Sequence, residues 1–193
     1  MYHIRNDKRC LQSAAAIAEA LEHLMLRKPF TEITVSDIQR SAGIGRSTFY
    51  RHFDTINDVV EYSVDESFKE LVKDFNELDP HSFTLSCLNG LILKGDVMIK
   101  LLSSECSWIV AGSLRKNLLR IAEGGIDGQG GAGLSDKGRQ ELQFAFAVFS
   151  SACISVIRIW DENGREESLE ELAGYLERYL NYTELYSIRQ TPL

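Results

Sequence analysis

The chain has 193 residues, a hydrophobic content of 44% and a formal net charge of −7. This apolar content can fill a packed core, so the composition excludes an intrinsically disordered protein. Only three prolines occur, and no stretch alternates apolar and polar residues as a strand does, so we predict an all-α fold.

The first part of the chain predicts three helices. Apolar residues spaced by three and four indicate a helix over 8–28, which Pro29 ends. Thr34 is a good N-cap for a second helix, and Gly43 suits a left-handed turn at its end. A short third helix is expected over about 46–53.

The rest of the chain also reads as helical. Thr55 can cap a long fourth helix that continues to about Leu78. Residues 124–138 are rich in glycine and predict a linker, and Asn163-Gly164 separates the last two helices. The further predicted helices cover residues 82–93, 96–121, 136–162 and 166–187.

The segment Thr34–Phe53 has the dimensions of a helix-turn-helix. Two helices of about eight residues flank a tight glycine turn, and a rod of about 12 Å fits the major groove of B-DNA. Four apolar residues can hold the two helices on the first helix: Ile38, Ala42, Ile44 and Phe49. Four others then face outward, where they can reach phosphates and base edges: Arg46, Ser47, Tyr50 and Arg51.

The same segment resembles the N-terminal domain of TetR-type regulators, with the approximate pattern T-[VI]-x-x-I-x-x-x-A-G-[VI]-[ST]-x-x-T-[FLI]-Y-x-[HY]-F. The matching positions are Thr34, Val35, Ile38, Ala42, Gly43, Ile44, Thr48, Phe49, Tyr50, His52 and Phe53. With its supporting helices, the resemblance covers about residues 8–78. It implies a DNA-binding head, and we expect DNA contacts from Thr34, Ser36, Arg46, Ser47, Thr48, Tyr50, Arg51 and His52.

Each of these contacts has a simpler alternative. Tyr50 and His52 can be packing residues, Thr34 a helix cap, and Arg46 and Arg51 ordinary solvated charges. The chain also departs from the family pattern twice. Gly45 stands where the family usually has Ser or Thr, and Ile56 where a lysine is common, so each change removes one expected phosphate-binding group.

The charge distribution agrees with DNA binding by the head. Residues 1–56 carry eight Lys/Arg against six Asp/Glu, whereas the remainder carries 13 against 22. A mildly basic head on an acidic body favours an approach to DNA through the head.

The resemblance implies that the last two helices of each subunit pair with those of a partner. Residues 136–162 carry more apolar surface than one helix face holds, which predicts that two faces are covered. A core that wraps this helix within one chain is the alternative. The expected dimer contacts are Phe149, Cys153, Val156, Trp160, Leu172, Leu176 and Tyr179.

The resemblance also implies a small-molecule effector inside the body, whose identity the residues do not indicate. Candidate pocket residues are Cys106, Trp108, Asn117, Phe146 and Phe149, each of which can equally be a core residue. Some members of the family respond to a protein partner instead.

Cysteines and histidines give no close pair of metal ligands, and no catalytic motif is found, so neither a metal, a cofactor nor an enzymatic activity is expected. Residues 1–9 lack the apolar run of a signal peptide, and no apolar run reaches about 20 residues, which predicts a cytoplasmic protein without a membrane span.

We therefore expect a DNA-binding domain over 1–54 and a ligand-binding and dimerisation domain over 55–193. The expected function is that of a ligand-responsive repressor that binds a palindromic operator as a homodimer. The alternative is a sensor or coactivator of this fold that acts through a protein partner.

Overall fold

In the computed structural model, residues 2–69, 78–102, 104, 106–123 and 135–180 are described, and they form helices joined by turns. This confirms the predicted all-α class. The helices of the described residues are α1 (Lys8–Met25), α2 (Val35–Ala42), α3 (Arg46–His52), α4 (Ile56–Lys69), α5 (Pro80–Ile92), α6 (Asp96–Leu102), α7 (Ser107–Ala122), α8 (Asp136–Glu162) and α9 (Leu169–Leu180).

The predicted single helix over 96–121 is wrong, because the structure divides it into α6 and α7. Ser104 supplies the reason. Its hydroxyl donates to the Leu101 carbonyl at 2.7 Å and accepts from the Cys106 amide at 3.1 Å. A serine that bonds the backbone in this way offers the chain an alternative to the next helical turn.

Other helix bounds shift by a few residues. The first helix ends at Met25 rather than Lys28, and a 3₁₀ turn at Phe30–Glu32 follows it. Helix α5 begins earlier than predicted, since the Asp79 carboxylate caps it and a proline needs no amide partner in the first turn. Helix α8 has the predicted bounds.

Three predictions fall in part outside the described residues. These are the fourth helix beyond residue 69, the glycine-rich linker over 124–134 and the last helix beyond residue 180. The final three residues assigned to the linker, 136–138, belong to α8, whose N-cap Ser135 accepts from the Gly138 amide at 3.1 Å.

Helix α1 packs against α2, α3 and α4 and forms the centre of the N-terminal part. Its inner residues Ile17 and Leu21 lie fully buried, as do Ile38, Phe49 and Phe53 from the neighbouring elements. Helix α4 then packs against α7, α7 against α8, and α5 against α9. Helix α4 therefore contacts both α1, on which the helix-turn-helix packs, and the later helices α5 and α7.

Helix α8 is long and apolar enough to cross a membrane by length and composition alone. Core helices of soluble proteins meet the same criteria. Helix α8 packs against α6, α7 and α9 and buries Leu142, Phe146 and Phe149 among them. We interpret it as a core helix with a second apolar side.

Candidate nucleic-acid interface

A glycine turn places α3 against α2, as the sequence predicts. Gly43 has φ +65°, the left-handed region in which an L side chain is strained, and its amide donates to the Gln39 carbonyl. The Ile44 amide donates to the same carbonyl at 3.0 Å. These bonds end α2 and turn the chain, so that α3 begins two residues later; we call α3 the reading helix.

The reading helix begins without a side-chain cap. Its N-cap is Gly45, with ordinary extended backbone at φ −80°. A Cβ added at this residue meets no heavy atom within 4 Å. A serine would therefore fit, and glycine leaves the first amides of the helix without the hydroxyl that the family usually provides.

Thr34 and Asp37 form a reciprocal capping box at the N-terminus of α2. The Asp37 amide donates to Thr34 Oγ1 at 3.2 Å, and Asp37 Oδ2 accepts from the Thr34 amide at 3.0 Å and hydroxyl at 2.7 Å. Lys28 Nζ lies 2.7 Å from the same oxygen. The bonds from Lys28 and Thr34 hold the pKa of Asp37 well below its usual range. The Thr34 hydroxyl is thus already used within the cap.

The outward side of the reading helix is polar and exposed. Arg46, Ser47 and Arg51 are exposed, and Tyr50 keeps 44% of its surface accessible. The Arg46 guanidinium carbon lies 5.5 Å from the Tyr50 ring centroid. On the opposite side, Phe49 is fully buried and meets the Tyr50 ring edge-on at 5.3 Å. This arrangement presents two long donors and a phenol on one side of a short rod.

The remaining predicted DNA contacts lie in different surroundings. The N-cap Thr34 and Ser36 of α2 are exposed, and Thr48 is half-buried. His52 is only 2% exposed, and within the described part of the chain its Nδ1 has no hydrogen-bond partner. Burial, with the nearby Arg51 charge, lowers the pKa of His52 and favours a neutral ring. The structure therefore brings the reading-helix residues together but leaves His52 inside.

Sequence reasoning missed the contribution of the first residues. Tyr2 packs against Phe53 and Tyr62, with ring centroids 6.5 and 5.5 Å away. The His3 amide donates to the His52 carbonyl at 2.8 Å, so the N-terminal segment is bonded to the last residue of the reading helix. A segment without regular structure shows no periodicity, and no signal in the sequence indicated these contacts.

The residues predicted to line an effector pocket do not share one environment. Trp108 is 65% exposed at the start of α7, whereas Cys106, Asn117, Phe146 and Phe149 are buried. The Asn117 amide donates to Asp65 Oδ1 at 2.7 Å, and the Phe149 ring packs on Phe83 at 5.3 Å. Asn117 and Phe149 thus pack within this chain, and a role in ligand binding stays a prediction.

The residues predicted at the dimer interface also divide. Four of them are buried within this chain: Phe149, Cys153, Leu172 and Leu176. Val156 and Trp160 are partly buried, and Tyr179 is 77% exposed. Other large apolar residues of the same helices lie at the surface, and sequence reasoning did not select them: Phe144, Val148, Ile159 and Tyr175.

Residues 17–62 match the sequence model of the family described as bacterial regulatory proteins, tetR family. The chain is also 33% identical over 69 residues to the HTH-type dhaKLM operon transcriptional activator DhaS of Lactococcus lactis. That match covers 36% of this chain and spans only 37% of the relative's length.

Solved structures extend the similarity to the whole fold. Lin0861 from Listeria innocua superposes with a TM-score of 0.72 at 18% identity, over 93% of this chain and 95% of that one. A TetR transcriptional regulator from Streptococcus agalactiae gives a TM-score of 0.56 at 21% identity, over 88% and 93% of the two chains. The N-terminal part of this chain therefore matches the tetR family, and the fold of the chain is similar to that of a TetR transcriptional regulator.

Proposed function

We propose that this protein is a transcriptional regulator that binds a palindromic operator as a homodimer, with residues 1–54 contacting DNA and residues 55–193 forming the dimer and an effector site. The observation that carries the proposal is the outward side of the reading helix, where Arg46, Ser47, Tyr50 and Arg51 are exposed together. Arginine can pair with a guanine edge or a phosphate, and a phenol with a phosphate, so these groups suit the major groove.

A dimer is supported by a row of exposed apolar and serine residues along α8. Five exposed residues recur every three or four positions, which places them on one side of the helix. They are Phe144, Val148, Ser151, Ser155 and Ile159. The two serine hydroxyls donate to carbonyls of their own helix at 2.9 Å each. This α8 stripe can be covered by a partner without leaving an unsatisfied polar group, and its small serines let two helices approach closely.

Helix α9 adds a second exposed pair. Tyr175 and Tyr179 are separated by one helical turn, and both are exposed. Large exposed apolar side chains on two adjacent helices are typical of an interface. We therefore assign the dimer contact to the α8 stripe and this tyrosine pair, with the buried Phe149, Cys153, Leu172 and Leu176 supporting it from inside.

Repression is the regulatory outcome that we propose, with release when an effector favours a different separation of the two heads. A second outcome has an observation in its favour. The relative DhaS is a transcriptional activator, and in this chain the family's capping hydroxyl is replaced by Gly45 and His52 is buried. An activator or coactivator that depends on a protein partner is therefore the second candidate.

The test is selection of bound fragments from genomic DNA by the purified protein, followed by a mobility shift and in vitro transcription from the selected promoter. A shifted fragment with inverted half-sites and reduced transcription supports the proposed repressor. A shift with increased transcription replaces repression by activation. No selected fragment at low salt contradicts the DNA-binding proposal and leaves the partner-dependent candidate.

A further inference from the structure

A carboxylate is buried where α4 meets α7. The Asp65 side chain is 2% exposed, and it extends from α4, whose first turn follows the reading helix. A desolvated carboxylate is costly unless several donors surround it. The donors that do so here come from two other parts of the chain, the N-terminal segment and α7.

Helix α7 supplies the donors on one side. The Ser113 hydroxyl and the Asn117 amide both donate to Asp65 Oδ1, the latter at 2.7 Å. Lys116 Nζ lies 3.5 Å from Asp65 Oδ2 and 2.6 Å from Glu61 Oε1. These contacts hold α7 in one register along α4.

The N-terminal segment supplies the donor on the other side. The Tyr2 hydroxyl donates to Asp65 Oδ2 at 2.5 Å, and Lys116 Nζ lies 5.6 Å from the centroid of its ring. Burial, together with the adjacent Asp65 carboxylate, raises the pKa of Tyr2, so the phenol keeps its proton and remains a donor at any physiological pH.

The next residue reaches the DNA-binding part. The His3 amide donates to the His52 carbonyl at 2.8 Å, and His3 Nε2 lies 3.1 Å from Asp54 Oδ2. His52 is the last residue of the reading helix and Asp54 follows it in the loop to α4. Two adjacent residues therefore connect the end of the reading helix with a carboxylate that α7 also holds.

We propose that Tyr2 and His3 form a strap that couples the position of α7 to the end of the reading helix, with Tyr2 and Asp65 as positioning residues. A shift of α7 along α4 pulls Ser113 and Asn117 away from Asp65. The carboxylate then reorients, the Tyr2 hydroxyl loses Asp65 as its acceptor, and the His3–His52 bond loosens. The regulatory role of the strap rests on the proposed DNA-binding function, whereas the coupling itself does not.

The strap can be tested by hydrogen–deuterium exchange of the full-length protein without DNA. Tyr2→Phe keeps the ring contacts with Phe53 and Tyr62 but removes the donor. Ser113→Ala removes a donor on α7, far from the reading helix in sequence. The matched control is Ser150→Ala, which changes a buried serine of α8 whose hydroxyl donates to the Phe146 carbonyl of its own helix.

We expect Tyr2→Phe to raise the exchange rates of the amides of residues 50–53 by about fivefold or more, because a buried carboxylate loses one partner. Ser113→Ala should raise the same rates. The double variant should show less than the product of the two effects, since both act through Asp65. Ser150→Ala should leave these amides at the parental rate.

The coupling is contradicted if Ser113→Ala leaves residues 50–53 unchanged, or if Ser150→Ala raises their rates equally, since the effect would then be a general loss of stability. The result is separable from the proposed function. If the exchange rates change as expected but the protein selects no DNA, the coupling through the strap is supported and the proposed operator binding is contradicted.

Discussion

The guanidinium carbon of Arg46 lies 5.5 Å from the centroid of the Tyr50 ring, one helical turn further along the reading helix. The ring limits the directions that the arginine can take, and it is itself held edge-on by the buried Phe49. A side chain restrained before binding loses less conformational entropy when it meets DNA. This pair is therefore the best-defined part of the candidate interface.

The missing cap at Gly45 predicts a gain from substitution. Gly45→Ser should raise the free energy of unfolding by a few tenths to about 1 kcal/mol, because it adds a capping hydroxyl and restricts the unfolded chain. The same hydroxyl should strengthen operator binding. Gly45→Ala adds only the Cβ and serves as the control. Urea unfolding and operator titrations of both variants decide the point, and equal values for serine and alanine would show that the hydroxyl has no role.

The division of the apolar residues of α8 into exposed and buried sides predicts two different outcomes. Val148→Glu should give a folded monomer, because the charge lies on the exposed α8 stripe. Phe149→Glu, one residue later, should unfold the protein, because that side chain is 1% exposed and an unpaired charge there is costly. Sedimentation and circular dichroism separate the two. A parent protein that sediments as a monomer at tens of micromolar would contradict the proposed dimer.

The contact between α5 and α9 predicts a pH dependence. His81 lies between Glu170 Oε2 at 2.6 Å and Glu177 Oε1 at 2.7 Å, and these hydrogen bonds raise the pKa of His81 above its usual range. A raised pKa in the folded state stabilises the protein below the unfolded value of about 6.5, and this stabilisation disappears as the pH rises through the folded value.

The melting temperature of the parent protein should therefore fall more between about pH 6 and pH 9 than that of His81→Gln, in which the charge is absent. His23→Gln, an exposed histidine of α1, is the control and should follow the parent. If the melting temperatures of the parent protein and His81→Gln changed in parallel over this pH range, the imidazolium would not stabilise the contact between α5 and α9.

The sequence predicted the helix-turn-helix part well because its signals are local. The Thr34 cap, the left-handed Gly43 and the apolar spacing each act within one or two helical turns, and the structure confirms the helix bounds there to within three residues. The side chains around Asp65 could not be predicted, because they come from residues 2, 113 and 117. Nothing in local spacing indicates that such distant residues meet.

The break between α6 and α7 within residues 96–121 could not be predicted from apolar spacing either. The apolar residues of this segment do not mark the break, where the hydrogen bonds of Ser104 to the backbone compete with the next helical turn. The dimer contacts stay a prediction, and they show a second limit of the sequence pattern. Apolar periodicity identified α8 but could not say which side its own subunit covers, since that depends on the packing of α7.

An equilibrium salt titration of Arg46→Ala on a selected fragment tests most directly whether the reading helix binds DNA through its outward side. Arg115→Ala, an exposed arginine of α7, controls for the loss of one positive charge. We predict that Arg46→Ala lowers affinity and either reduces the slope of log K against log salt by about 1, for a phosphate contact, or costs about 1–3 kcal/mol at one base pair, for a base contact. Arg115→Ala should match the parent. Equal affinity and equal slope for Arg46→Ala and the parent protein would contradict the assignment of the reading helix.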